Sequence, residues 1–316
     1  MSAVPFEGPE KKLELVVRGQ PSLRTLSEAT WRGVVEAAGA CVLSCLRGEL
    51  VDAYLLSESS LFVWDDRLTM LTCGRTHLVD AVFAMLELFP AESVALLVYE
   101  RKNEHFPERQ PSTFVEDARL LRQHLPGRAL RFGAEHEHRV MLYGTTAPFA
   151  PAPDDTTLEV LMHGIDPRWL ETDFTAAAQH ELAHRARTLL PDFRVDEHIF
   201  DPAGYSLNAI RGDRYYTIHV TPQRVGSYAS FETNMDFRGG LKALLQPVLD
   251  LFAPEAFDVV SFVPEASPAQ DESLMLADAV LRKHVVTKMC GYRVGFRHYF
   301  HPTSTQPAAE VDLKLP

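Results

Sequence analysis

Residues 50–64 read Leu-Val-Asp-Ala-Tyr-Leu-Leu-Ser-Glu-Ser-Ser-Leu-Phe-Val-Trp. The stretch is apolar at both ends and polar at its Ser57-Glu-Ser-Ser60 centre, which predicts a strand, a turn and a second strand. Working outward, Thr25-Leu-Ser-Glu28 reads as a capping box opening a helix, with Trp31, Val34, Val35 and Ala38 on its apolar face. Helices fit residues 76–89, ended by Pro90, and 114–125, stopped by Pro126-Gly127. The run Ser-Val-Ala-Leu-Leu-Val-Tyr-Glu at 93–100 is a strand, and the charged, Pro-containing 101–113 is a loop.

Residues 147–155, Ala-Pro-Phe-Ala-Pro-Ala-Pro-Asp-Asp, are the most linker-like part of the chain. They separate halves of about 1–146 and 156–316. The second half carries predicted helices at 173–190 and 239–252 and strands near 214–221, 226–233, 257–263 and 291–300. Strands mostly follow one another through short turns, without β-α-β alternation. The expectation is an α+β fold of antiparallel sheets with helices on their outer faces.

The chain's 316 residues, 46% of them hydrophobic, suffice for a large core without disulfide or metal staples. A formal charge of −12 repels phosphate backbones and anionic lipid, which argues against nucleic-acid and membrane partners and favours a cationic ligand. Four scattered cysteines do not make a disulfide framework; Cys41 and Cys45 read as buried core thiols. The first fifteen residues lack a signal-peptide pattern, and no apolar run approaches the roughly 20 residues of a membrane span. A cytoplasmic location is expected.

His180-Glu181-Leu-Ala-His184 matches the H-E-x-x-H zinc-protease signature. Its flanks read as a solvated amphipathic helix, and no third ligand stands at a recognised spacing. No metal is expected there. Glu135-His-Glu-His138 reads as a surface charge run.

Within Tyr54–Phe62, a Ser hydroxyl can attack the carbonyl of its preceding peptide bond where a tight turn strains that bond and water is excluded. β-Elimination of the resulting ester leaves a dehydroalanine and then a pyruvoyl group. Alone, the segment is a Ser-rich turn; its companions suggest the chemistry. Cys73-Gly74 offers a thiol for proton donation. Gly204-Tyr-Ser206 supplies a hydroxyl and Thr217-Ile-His-Val-Thr-Pro222 an imidazole. On a strand, Thr217, His219 and Thr221 share one face while Ile218 and Val220 face core.

With these segments in hand, the chain resembles the eukaryotic-type S-adenosylmethionine decarboxylase proenzyme family from about Phe6 to about residue 300. The likeness is strongest in Phe6-Glu-Gly-Pro-Glu-Lys-Lys-Leu-Glu14, Tyr54–Ser60, Leu71-Thr-Cys-Gly74, Asp155-Thr-Thr-Leu-Glu159, Asp201-Pro-Ala-Gly-Tyr-Ser206, Thr217–Pro222 and Ser227-Tyr-Ala-Ser-Phe-Glu232. The resemblance implies a single αββα sandwich domain built from two similar halves. It also implies self-cleavage between Glu58 and Ser59 into chains 1–58 and 59–316, with a pyruvoyl cofactor derived from Ser59 and no metal. Ser206 and His219 match the processing residues, and Cys73 the residue that reprotonates the substrate carbon. Phe6 and Phe200 match aromatics that stack on adenine, beside Leu56, Glu58 and Gln223. Glu7 and Glu10 match acidic residues near the reaction. The implied substrate is S-adenosylmethionine, decarboxylated for polyamine (spermidine) synthesis, in a homodimer of αβ units.

Two positions depart from the family pattern. Gln223 stands where a ribose-gripping Glu is usual, and a neutral amide weakens that contact. Glu14, Asp155, Thr157, Glu159 and Glu232 match a putrescine effector site, but Leu71 and Val98 replace its basic and aromatic members. A pyruvoyl-dependent ornithine or arginine decarboxylase is the alternative; retention of Phe6 and Phe200 favours the nucleoside. A non-processing regulatory pseudoenzyme has no reason to retain Glu58-Ser59, Cys73, Ser206 and His219 together.

Overall fold

The computed structural model describes residues 6–237, 240–267, 276 and 278–302. The first sheet holds Lys11–Val17 (β1), Val42–Arg47 (β2), Asp52–Leu56 (β3), Ser59–Val63 (β4), Arg67–Thr72 (β5), Val94–Arg101 (β6), Gly127–Phe132 (β7) and Val140–Thr145 (β8). The second holds Thr157–His163 (β9), Arg194–Ile199 (β10), Tyr205–Arg211 (β11), Arg214–Thr221 (β12), Tyr228–Thr233 (β13), Ala256–Pro264 (β14), Val280–Met289 (β15) and Tyr292–Phe300 (β16). Among the described residues, five α-helices accompany them: Glu28–Ala37 (α1), Val79–Leu88 (α2), Phe114–His124 (α3), Ala176–Arg187 (α4) and Leu241–Phe252 (α5).

The sheets are antiparallel, ordered β2-β3-β4-β5-β1-β6-β8-β7 and β10-β11-β12-β13-β9-β14-β16-β15. The second order is the first with every number raised by eight, so the halves share one topology. Trp31, Val35, Met85 and Leu121 pack α1–α3 onto the outer face of the first sheet, and Leu182, Leu245 and Val248 pack α4 and α5 onto the second. Two smaller apolar clusters, around Phe296 and around Phe62, fill part of the space between the sheets. The result is the expected α+β sandwich, helices outside and sheets inside.

β1 shows why several strands are hidden in the sequence. All seven residues of Lys-Lys-Leu-Glu-Leu-Val-Val are buried. Leu13, Leu15 and Val17 face the helices, while Lys12 and Glu14 turn into the layer between the sheets, so the strand is buried on both faces. Four expectations need correction. Ser27, not Thr25, caps α1, its Oγ accepting from Thr30 N at 3.1 Å; Thr25 closes a preceding 3-10 turn. Cys41 is exposed and Cys45 half-buried, because Cys45 lies on the sheet's edge strand, β2, and Cys41 just before it. Leu56, at the end of β3, points with Tyr54 into the core beneath the helices. His138 is no surface charge: its Nδ1 lies 3.1 Å from buried Asp258, while Glu137 pairs with Arg282 and Lys283. The helix expected from 239 begins at Leu241; position 239 lies outside the described residues. Among the described residues, no helix is long and apolar enough to cross a membrane.

α3 is tied to β6 by buried charge. Tyr99 and Arg101 both donate to Asp117 Oδ2, at 2.5 and 2.9 Å, and all three side chains are buried. Asp117→Ala leaves Arg101 with Glu104 as its one ion-pair partner and Ser112 as a neutral acceptor, which should cost about 3 kcal/mol in denaturant unfolding. A change within error would show that the pair is not a structural anchor.

Candidate active site

β3 and β4 pair with Leu56 opposite Ser59, so Ser57 and Glu58 form a two-residue turn. Such turns require positive φ somewhere, usually at Gly or Asn. Here it falls on Ser59, at φ +129°, a strained conformation for a side-chain-bearing residue. The Ser59 hydroxyl is buried and has no hydrogen-bond partner. The carbonyl oxygen of Glu58 accepts from Cys73 N at 2.9 Å, with Cys73 Sγ 3.4 Å away. A strained bond, an idle nucleophile and a polarised carbonyl therefore meet at one peptide.

The second half supplies the base. Register places Ser206 opposite His219, and Ser206 Oγ lies 3.0 Å from His219 Nδ1. His219 Nε2 lies 2.8 Å from Thr217 Oγ1 and 3.1 Å from Ser60 Oγ. Asn208 decides the tautomer. Its Nδ2 donates to Tyr54 O at 3.0 Å, which leaves Oδ1 as an acceptor for the Ser60 and Thr217 hydroxyls at 2.5 and 3.0 Å. Thr217 Oγ1 also reaches Leu207 O at 2.9 Å, so its one proton goes to that carbonyl or to Asn208. With those protons committed, both hydroxyls accept from Nε2–H. Nδ1 carries the lone pair, facing Ser206. Burial pulls the His219 pKa down to about 4, partly opposed by Glu10, so the ring is neutral at neutral pH.

A cavity of about 270 Å³ opens onto Glu58, Ser59, Cys73, Ser206 and His219, with Phe6 and Phe200 among its walls. Burial, with the nearby Glu58 and Glu10 carboxylates, raises the Cys73 thiol well above its ordinary pKa, so it is a proton donor rather than a thiolate. Burial also raises Glu58 to about 7, opposed by Lys11. Gly74, at φ +64°, has no room for a side chain: a Cβ would sit 2.8 Å from both Glu58 Oε2 and the Phe6 ring. Gln223 lines the cavity, but its Oε1 accepts from Phe6 N at 2.8 Å, so its amide holds the Phe6 backbone.

Leu56, already placed in the core, does not reach the cavity, since strand alternation turns its side chain to the opposite face. Glu7 and Glu10 stand behind its wall. Glu7 accepts from the backbone N–H of His105 and Phe106 at 2.8 and 2.7 Å, bracing the 102–113 loop. Glu10 accepts from Tyr228 at 2.9 Å and from Ser230.

The acids matched to an effector site lie between the sheets. Glu159 and Glu232 face each other in register on β9 and β13. Lys12 Nζ lies 2.7 Å from Glu159 and 3.1 Å from Glu232, and Lys102 Nζ lies 3.1 Å from Glu159. Asp155 takes Arg67 and Tyr292, each at 2.8 Å. Glu14 and Thr157 line a separate cavity of about 200 Å³ with Arg67 and Arg214. Leu71 and Val98 belong to the apolar clusters on either side. Sequence reasoning missed Ser60, Thr217 and Asn208 as partners of the imidazole. Asn208 carried a legible signal, standing two residues from Ser206 on the same strand face.

Asn208→Leu removes the acceptor that fixes the His219 tautomer while leaving Ser206 and His219 in place. Any reaction needing Nδ1 as base should slow about ten-fold, the equivalent of one buried hydrogen bond. Cleavage at 58–59, followed by mass spectrometry through a refolding time course, measures it. An unchanged rate would mean the tautomer is set elsewhere.

Residues 3–299 match the adenosylmethionine decarboxylase family. Curated relatives named S-adenosylmethionine decarboxylase proenzyme include those of Leishmania donovani, 33% identical over 285 residues (83% of this chain, 74% of the relative), and Helianthus annuus, 34% identical over 290 residues (82% and 80%). Among solved structures, the Trypanosoma brucei AdoMetDC-delta26 monomer superposes with a TM-score of 0.58 at 24% identity, covering 77% of this chain and 99% of that one, which supports the fold. With the family match spanning nearly the whole length, this chain belongs to the adenosylmethionine decarboxylase family.

Proposed function

We propose that the chain is a proenzyme that cleaves itself between Glu58 and Ser59 and then removes CO₂ from S-adenosylmethionine. The observation that carries this reading is Ser59 itself, a buried, unpartnered hydroxyl at positive φ beside a carbonyl already held by Cys73 N–H. Ser59 Oγ adds to the Glu58 carbonyl carbon, and the Cys73 N–H stabilises the charge that develops on its oxygen. Collapse moves the acyl group from nitrogen to oxygen and frees the Ser59 amine. His219 Nδ1 then takes the Ser59 Cα proton as Glu58 leaves as a carboxylate, and water releases ammonia from the dehydroalanine. The pyruvoyl group so formed supplies the electron sink that decarboxylation of an α-amino acid needs. Cys73, kept protonated by its surroundings, returns a proton to the carbon that loses CO₂. Phe6 and Phe200 line the same cavity, where a flat base would find aromatic faces.

Ser59→Ala should yield one uncleaved, inactive chain. Cys73→Ala should still cleave but lose most turnover. His219→Ala should stall before the pyruvoyl group forms. Intact mass and release of carboxyl-labelled CO₂ from S-adenosylmethionine, ornithine and arginine in turn check all three. Release from ornithine or arginine alone would overturn the substrate; an uncleaved, active wild type would overturn the mechanism.

The effector site reads as already occupied by the chain's own cations. Lys12 and Lys102 neutralise Glu159 and Glu232, and Arg67 neutralises Asp155. Lys102 thus supplies the positive charge that Leu71 does not, and in the neighbouring cavity Arg67 and Arg214 already pair with Asp155, Asp154 and Asp213. Putrescine should leave wild-type turnover unchanged, whereas Lys102→Ala should lose activity and regain part of it with the diamine. Stimulation of the wild type would show the site to be open.

A further inference from the structure

Between the sheets, where β9 ends, three histidines gather around one carboxylate. Asp258 lies on β14, His298 is its register partner on β16, and His163 closes β9. His138 reaches in from the 133–139 segment of the other half. Their nitrogens converge on Asp258: His298 Nδ1 at 2.7 Å from Oδ1, His138 Nδ1 at 3.1 Å from Oδ2, and His163 Nε2 at 3.6 Å from Oδ2. Ligand atoms of His138, Asp258 and His298 all lie within 4.8 Å of one another, and His163 stands just outside that group, so a four-ligand shell draws its ring inward. His163 is buried, 9% exposed, and its Nε2 has no hydrogen-bond partner although it is aimed at the carboxylate. Its other nitrogen, Nδ1, lies 3.1 Å from His105 Nε2.

Hydrogen bonding alone leaves this arrangement incomplete, because an idle buried ring nitrogen is costly. A cation at the centre would use every lone pair. Tetrahedral zinc at about 2.0–2.1 Å from its ligands holds them about 3.3 Å apart; the contacts to Asp258 span that value, at 2.7, 3.1 and 3.6 Å, so His298 would move outward on binding. Three imidazoles and one carboxylate suit zinc-class metals, while calcium and magnesium require oxygen-rich shells. Metal-bound imidazoles also engage their second nitrogen with an outer partner, as His163 does with His105. Half-buried His138 provides an entry from solvent.

We propose that His138, His163, His298 and Asp258 form a structural site for one zinc-class divalent cation, pinning the 133–139 segment of the first half to the second sheet. This departs from the sequence expectation of no metal. It also places the ion away from the H-E-x-x-H helix, where His180 and His184 are solvent-exposed and Glu181 pairs with Arg168 and Arg185.

The full chain, stripped with chelator and dialysed against Zn²⁺, should retain one equivalent by elemental analysis and melt at a higher temperature than the stripped form. His138→Ala, on a half-buried loop position, should lose both the metal and the shift, whereas the His180→Ala/His184→Ala double variant should keep both. Co²⁺-loaded wild type should show the intense visible bands of a tetrahedral site. Background zinc in the wild type, absence of those bands, or binding lost in the His180/His184 variant and kept in His138→Ala would each overturn the proposal.

Discussion

The sandwich depends on neutralising a layer of charge that its own topology buries. β1 and β9 lie centrally in their sheets, and their inner faces present Lys12, Glu14 and Glu159 to a space with little water. An isolated charge there would be prohibitively costly, so the layer holds only because each group has a counterpart. Lys12 and Lys102 lose hydration on burial, yet Glu159 holds them firmly charged. Glu100, buried with neither oxygen bonded, is the exception, its pKa pushed well up by burial and by the neighbouring Glu159. Apolar clusters flank the charged centre and shield it from solvent.

The same layer builds the reaction site. Neither half contains a complete set of groups. The first half brings the strained Glu58–Ser59 peptide and Cys73; the second brings Ser206, His219 and the Asn208 that orients it. Asn208 bonds across the interface to Tyr54 O, and Ser60 reaches back to both Asn208 and His219. Sheet packing and imidazole tautomer are therefore set by one hydrogen-bond network, and the base is ready only when the halves are docked. The topological repeat has put different chemistry on equivalent strands. β3 and β4 carry the bond to be broken, while their counterparts β11 and β12 carry the base.

Burial acts on the site's acids and bases in one direction, toward the neutral forms. It lowers His219 and raises Cys73 and Glu58. That suits chemistry in which a neutral imidazole accepts a proton and a neutral thiol gives one up, at a pH where exposed groups of the same kinds would be partly charged the wrong way.

The sequence by itself determined whatever local order and motif chemistry express. The helices at 114–125 and 173–190, the turn at Ser57–Glu58, the alternation Thr217/His219/Thr221 and the family segments all survive in the structure, because periodicity and turn composition are properties of neighbours along the chain. What only the tertiary structure decided is everything that depends on what lies across a sheet. Glu14, Glu159 and Glu232 read as acids between the sheets only through the family resemblance, because nothing in their own neighbours along the chain shows what encloses them. His138 read as part of a charge run until β14 brought Asp258 beneath it. Leu56 and Glu58 are two residues apart, yet the turn sends one into the core and the other into the cavity. The tautomer of His219 rests on Asn208, a neighbour only through strand pairing. Charge, tautomer and strain are set by three-dimensional surroundings, and no window of consecutive residues contains them.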